Sequence, residues 1–309
     1  MTKAERTVNL IAVVLPFVAF VAAVILLWNS YVGWTDLVAF GVMYLIAGFG
    51  VTVGFHRLLT HRSFQTHKPI EYGFAIAGSM SVQGPVTDWV ADHRKHHAHA
   101  DHEGDPHSPH VQFGEGWMGA LKGLFHAHMG WLFSEHGQAE RRKYAKDLVE
   151  DRGMRKINRR FHWWVGLGLV MAFAIGFVLT GFTLRGGLLG LFWGGPVRIF
   201  LQHHVTWSVN SVCHFFGRRR FDIEDHSTNV FWLALPSFGE SWHHNHHAFP
   251  RSAAHGLRWW EVDTSALLIR GLRRAGLAWD VVTITPERQE KKLLKQPSPE
   301  PSRVAEPVS

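Results

Sequence analysis

Between Val8 and Trp28 the chain runs VNLIAVVLPFVAFVAAVILLW without a charged residue. As a helix, a stretch of that length crosses the ~30 Å hydrocarbon core of a bilayer. In lipid only helices and closed barrels satisfy every backbone group, and there an internal Pro16 is tolerated. Leu37 to Phe55 forms a second apolar block, Gly-rich enough for close helix packing, and runs directly into His56. The turn between them, Asn29 to Asp36, is flanked by Trp28 and holds Trp34, where an aromatic belt would sit. Phe161–Phe182 and Leu188–Val209 make a second hairpin around a Thr183–Gly187 turn. The last block carries Arg198 and the His203-His204 pair. Ionisable groups at such depth serve function, snorkel, or pair within the bundle. The expectation is an all-α membrane protein with four spans, about 8–28, 37–55, 161–182 and 188–209. The apolar patch Tyr72–Val82 is too short to span and reads as a re-entrant or interfacial helix.

The first block is too long for a signal peptide and lacks a small-residue cleavage site. The formal charge is +7, and no nucleic-acid-binding module accompanies it. Lys and Arg avoid the first turn, and the second holds only Arg185, so positive-inside places both termini and the intervening polar segments in the cytoplasm. Those segments, 56–160 and 210–285, form a cap, giving one domain over 1–285. Residues 286–309, rich in Pro, Ser, Glu and Lys, are expected to be a disordered tail. Cys213 is the only cysteine, which excludes a disulfide framework and a cysteine zinc site.

What distinguishes the polar segments is their histidines. The pattern H-x-x-H-H occurs at His93–His97 and again at His243–His247. On a helix its three imidazoles share one face, and neutral imidazole is a common metal donor. Solvated helices with incidental histidines would not repeat the spacing. His56 and His61 leave the second span five residues apart, off a common α-helical face, so they straddle a metal pair or the helix breaks between them. Asn210 and His214 lie one turn apart at the end of the fourth block. Nine imidazoles and one amide exceed the four ligands of a tetrahedral zinc and point to two metals. Ligand softness alone allows Fe, Zn or Cu.

HRLLTHRSF at 56, DHRKHHAHAD at 92, NSVCHFFG at 210 and GESWHHNHHAFP at 239 closely resemble the His boxes of the integral-membrane fatty acid desaturases, especially the Δ9 acyl-CoA branch. Trp89, Asp105–Pro109 and His128–Trp131 match as well, so the resemblance runs from about Trp34 to Pro250. It implies four spanning helices under a helical cytoplasmic cap that holds a di-iron centre. The implied iron ligands are His56, His61, His93, His96, His97, His214, His243, His246 and His247, with Asn210 reaching one iron through water. The implied reaction uses O2 and two electrons to put a cis double bond, Δ9 by resemblance, into a saturated acyl chain. No side chain supplies an oxidant for an unactivated methylene, hence the metal.

Two positions depart from the family's basic grip on CoA phosphates: Ala91 replaces an Arg, and Glu135-His136 an Arg-Lys pair, with Arg141-Arg142-Lys143 further on. The acyl carrier is therefore open among CoA, carrier protein and phospholipid, with CoA the first expectation. No fused cytochrome b5 segment is visible, so electrons come from a separate ferredoxin or flavin reductase type of donor. Asp92, Asp101, Asp105, Asp225 and Glu240 are candidates to orient imidazoles, as are His107 and His128 by position. Trp89, Trp117, Phe125 and Trp131 are candidates for an acyl tunnel or for ordinary packing. The competing readings are a related membrane di-iron hydroxylase or ketolase and a histidine-rich metal transporter. Transport would place ionisable ligands inside several spans.

Overall fold

The computed structural model describes residues 3–28, 32–134 and 139–293. It is mostly helical. Helix α1 (Lys3–Trp28) and α2 (Trp34–Phe49) are followed without a break by a π-helix, Gly50–Thr60. The chain continues through α3 (Lys68–Ser79), α4 (Val86–His99) and α5 (Gly116–His128), then α6, α7 and α8 (Arg141–Tyr144, Lys146–Glu150, Arg152–Arg159). An apolar hairpin follows, α9 (Phe161–Leu179) and α10 (Leu184–Phe192), the latter continued by α11 (Arg198–Ser211). Helices α12 (His243–Ala248), α13 (Thr264–Arg274) and α14 (Pro286–Glu290) complete it. Two short strands, β1 (Gln65–Thr66) and β2 (Ala278–Trp279), pair antiparallel.

Among the described residues, three helices are long and apolar enough to cross a membrane: Arg6–Leu27, Trp34–Thr60 and Phe161–Leu179. The first exposes Leu10, Ile11, Leu15, Phe17 and Val18, a surface that water disfavours and lipid accepts. The fourth expected block is not one continuous helix. A π-turn at Trp193–Val197 separates α10 from α11, because Pro196 has no N–H to give and Gly195 leaves helical geometry. Arg198 follows this break, fully buried, and donates to the carbonyls of Gly194 and Met80 and to Gln202 Oε1. It neither snorkels nor meets a carboxylate in these contacts.

The Tyr72–Val82 patch belongs to α3, which lies against the π-helix rather than standing alone. Close approach is possible because Gly50 and Gly78 face each other: a Cβ on Gly50 would sit 2.1 Å from the Gly78 nitrogen. Under the histidines lies a core of Val53, Phe55, Leu58, Val86, Val90, Leu148 and Met154, which fixes the π-helix and α4 relative to one another. The tail expectation fails for its first residues, since α14 is helical and Lys292 Nζ donates to the Ala248 carbonyl at 2.8 Å. Residues 294–309 lie outside the described residues, as do Glu135 and His136.

Candidate metal centre

The π-helix changes the relation of His56, within it, to His61, which caps its end. Its bonds run i to i+5, as from His61 N to His56 O at 3.1 Å, so residues five apart share a face. The ring centroids of His56 and His61 are 4.9 Å apart. They enter one set rather than straddling two metals, and the helix ends at Thr60, between them, with His61 as its C-cap. Helix α4 contributes His93, His96 and His97, α12 contributes His243, His246 and His247, and His214 ends the short 3-10 turn after α11.

Every one of the nine predicted histidines enters one of two sets, in each of which the donor atoms lie within 4.8 Å of one another. His56, His61, His93, His97 and His246 form the first, and His96, His214, His243 and His247 the second. Each H-x-x-H-H motif thus serves both sets. The i and i+4 imidazoles turn to one set and the i+3 imidazole to the other.

The protons decide what these sets can hold. His96 Nδ1 bonds Asp105 at 3.0 Å, His214 Nδ1 bonds Asp101 at 2.8 Å, and His247 Nδ1 bonds Asp225 at 2.9 Å. His56 Nδ1 bonds Glu240. A carboxylate only accepts, so each of these Nδ1 atoms carries the hydrogen and each Nε2 presents a bare lone pair inward. His214 Nε2 then faces His243 Nε2 at 2.9 Å, and His96 Nε2 faces His247 Nε2 at 3.4 Å. In the His96–His247 pair both nitrogens are bare and repel unless a cation lies between them, whereas His243 Nδ1 has no partner among the described residues to fix its tautomer. His61 Nε2 is buried with no hydrogen-bond partner among the described residues. Burial, reinforced by neighbouring imidazoles, holds His61, His93, His97, His243 and His247 well below the ordinary histidine range, so they are neutral donors at pH 7. His96 goes the other way: burial opposes its charging, but Asp105 prevails. The donor set fits two metal ions.

Four of the five predicted carboxylates hold ligand imidazoles. The exception is Asp92, which accepts from the Ala139 N–H. Replacing Asp101 with Asn keeps the size but removes the anion behind His214. Metal affinity is expected to fall about 10- to 100-fold, measured by competition against a chelator. The His107 ring lies 4.4 Å from that of His96 and tilted to it, whereas His128 turns to His204 and Ser211. His244 faces away, accepting from Phe221 N–H at 2.8 Å. The sequence reading missed Arg57, wholly buried between Glu240 and Asp263, and His255, buried beside His56, Glu240 and His246.

Two cavities meet at the centre. One runs from Tyr44, Val51 and Phe238 to His56, His93 and His243. The other runs from Asn9 and Trp131 to His93 and His107. Trp89, His93, Thr206 and Asn210 line both. Asn210 is in neither ligand set but borders this junction. Of the aromatic candidates, Trp89 and Trp131 line cavity wall, while Trp117 (73 % exposed) and Phe125 (62 %) face outward from α5.

A family model described as fatty acid desaturase matches residues 34–281, which span both ligand sets and all four motifs. The chain belongs to the fatty acid desaturase family. It is therefore an oxidoreductase of lipid metabolism. Its relatives include a hex-5-enoyl acyl-carrier-protein acetylenase of Moorena producens, 42 % identical over 91 % of this chain and 87 % of that protein. An sn-1 stearoyl-lipid 9-desaturase of Anabaena variabilis is 39 % identical, covering 79 % of this chain and 82 % of its own length. Delta-9 acyl-lipid desaturase 1 of Arabidopsis thaliana is 40 % identical, covering 84 % and 79 %. This desaturase thus has relatives named for lipid-linked and for protein-linked acyl chains.

Proposed function

We propose that the protein is an O2-dependent desaturase that introduces a cis Δ9 double bond into a saturated fatty acyl chain. The nine histidines hold two irons and Asn210 reaches one through water. When bound, the iron pair supplies the oxidising power, with O2 as co-substrate and two electrons from a separate donor of ferredoxin or flavin reductase type. Residues 1–285 act as one domain with four spans, the broken α10–α11 rod being the fourth. Both termini and the centre face the cytoplasm, where the electron donor is. CoA is the carrier expected from the resemblance, and lipid and carrier-protein linkages are those of the relatives named above.

One observation carries this reading: the two histidine sets border two largely apolar cavities that share Trp89, His93, Thr206 and Asn210. Around the junction the chain's own residues position and dry the substrate. Val51, Val205, Val209 and Phe238 wall the far cavity, and apolar walls exclude the water that would quench an oxidant. Tyr44 closes the wall with a hydrogen bond to the Pro236 carbonyl at 2.8 Å.

The test is expression in a desaturase-deficient host, with fatty acids analysed by gas chromatography–mass spectrometry and double bonds located by derivatisation. A new Δ9 monoene that requires His246 is the expected result. Hydroxy acids would move the protein to the hydroxylase reading, and an alkyne to the chemistry named for the Moorena relative. No product, with iron bound and electrons supplied, would overturn it.

A further inference from the structure

Two loops of the cap meet the second spanning helix at the edge of the bilayer. Counted from Trp34, about 20 residues cross the hydrocarbon layer, so Gly48 lies in the half nearer the histidines and Thr52 close to its edge. A Cβ on Gly48 would sit 2.3 Å from Phe238 Cε2, and Thr52 Oγ1 shares a hydrogen with Ser265 Oγ at 2.7 Å. These contacts hold 231–238 at the rim of the hydrocarbon and 258–265 just beyond it. The side chains follow suit: Phe231, Trp232 and Leu235 are 73, 60 and 68 % exposed, and Trp259 and Trp260 also face outward. Water disfavours such a surface, and a membrane interface accepts it.

Behind this aromatic rim three arginines converge. Arg218, Arg220 and Arg258 line one pocket with Trp232, Trp242 and Trp260. Arg218 and Arg258 are exposed, whereas Arg220 is half-buried and its Nη2 donates to Asn245 Oδ1 at 3.2 Å. Arg220 Nε is buried with no hydrogen-bond partner among the described residues, a costly state for a charged donor. Two other residues of the wall are already engaged. Arg219 donates to the carbonyls of Ile223, Asp225 and Ser227. Glu261 accepts from Arg220 Nη1, from Asn245 Nδ2 and from the N–H groups of Leu257 and Arg258. The pocket therefore presents a surplus of positive charge, and guanidiniums meet a phosphate through paired N–H donors. A choline group would need a free aromatic face, but the Arg258 guanidinium already lies 5.9 Å over the Trp260 ring.

We propose that this pocket binds the phosphate of an anionic phospholipid from the adjoining leaflet, a bound lipid distinct from the acyl substrate. The lipid's chains lie along Phe231, Trp232 and Leu235. Its headgroup sits among Arg218, Arg220 and Arg258, at the depth where arginine meets lipid phosphate. The pocket reaches the metal centre through one residue. Asn245 receives Arg220 and stands on α12 between His243 and His246, so a phosphate that fixes Arg220 also steadies the helix that supplies donors to both sets. The site depends on the membrane placement of α2 and not on the reaction performed.

The test is native mass spectrometry of the purified full-length protein in mild detergent. Phosphatidylglycerol and phosphatidylcholine with the same acyl chains are titrated in separate arms, and glycerol phosphate serves as a water-soluble competitor. The expected result is one retained phosphatidylglycerol at concentrations where phosphatidylcholine does not bind, undisturbed by the competitor. Arg218→Gln/Arg258→Gln weakens that binding about 30-fold, the worth of two arginines at a membrane surface. Arg273→Gln/Arg274→Gln, which removes two exposed charges at the end of α13, leaves it unchanged. Phosphatidylglycerol also raises the unfolding temperature of the parent and not that of the pocket variant. Equal retention of the two lipids, displacement by glycerol phosphate, or equal weakening in the two double variants would overturn the proposal. The comparison of lipids on the parent stands even where a variant fails to fold. Binding needs neither metal nor turnover, so its failure leaves the desaturase reading intact, and a host without a monoene leaves the lipid site intact.

Discussion

Replacing His243 with alanine is expected to remove one of the two metals and abolish double-bond formation, while His61→Ala retains most of its metal. The difference follows from the unequal sets. His243 is one of four histidines, and its loss leaves three nitrogens at a centre whose protein donors are all imidazoles. His61 is one of five, and its loss leaves four, the number that suffices for a tetrahedral ion. His246→Ala also leaves four and keeps metal better than His243→Ala, but it loses product because His246 packs directly between His56 and His97. Iron per chain by inductively coupled plasma mass spectrometry, read beside monoene yield, checks this. Equal metal loss in His243→Ala and His61→Ala would rule out the division into sets of five and four.

The histidines were legible because their message is local. H-x-x-H-H states a shared helix face whatever surrounds it, and two copies state a pair of facing helices. Four of the five carboxylates were legible for a similar reason, since a buried imidazole needs an acceptor and acids close to the boxes were few. What escaped was set by tertiary context. The pair His56 and His61 is misread on α-helix geometry, and only packing of Gly50 against Gly78 and of Phe55 against Trp89 shows the π-helix that brings them together. Each histidine motif also looks like a single-metal face in sequence. Its division between two sets appears only when the facing helix supplies the remaining donors. The broken fourth rod had a visible signal in Gly194-Gly195-Pro196, overlooked because membrane helices tolerate such residues. Trp117 and Phe125 read as core or tunnel because aromatic side chains usually are, yet α5 turns them outward. Arg57 carries no signal in sequence, because its two acid partners, Glu240 and Asp263, lie about two hundred residues away.

Arg57→Met is expected to cost about 3–5 kcal/mol of stability, the size found when one partner of a buried ion pair is removed. The side chain is fully buried within the π-helix, between the two first-box histidines. Its Nη2 and Nε donate to Glu240 Oε1 at 2.9 and 3.2 Å, and its Nη1 donates to Asp263 at 3.0 Å and to the Ala253 carbonyl at 2.9 Å. Without it two buried carboxylates face each other's field with no cation between them, against a total stability of only ~5–15 kcal/mol for a typical domain. Arg57→Lys fails for a different reason, because a single ammonium cannot reproduce the fork that reaches both acids. The damage extends to the metals: Glu240 also orients His56, so a displaced Glu240 loosens one of the five nitrogens. Asp263 in turn caps α13 by accepting from Ala266 N–H at 2.8 Å. Thermal unfolding of the detergent-solubilised protein should show the loss. The double variant Arg57→Met/Asp263→Asn should recover part of it, since one uncompensated charge has gone. An Arg57→Met protein that melts with the parent and binds as much iron would show that Glu240 and Asp263 are held without it, and that the first box does not depend on this cation.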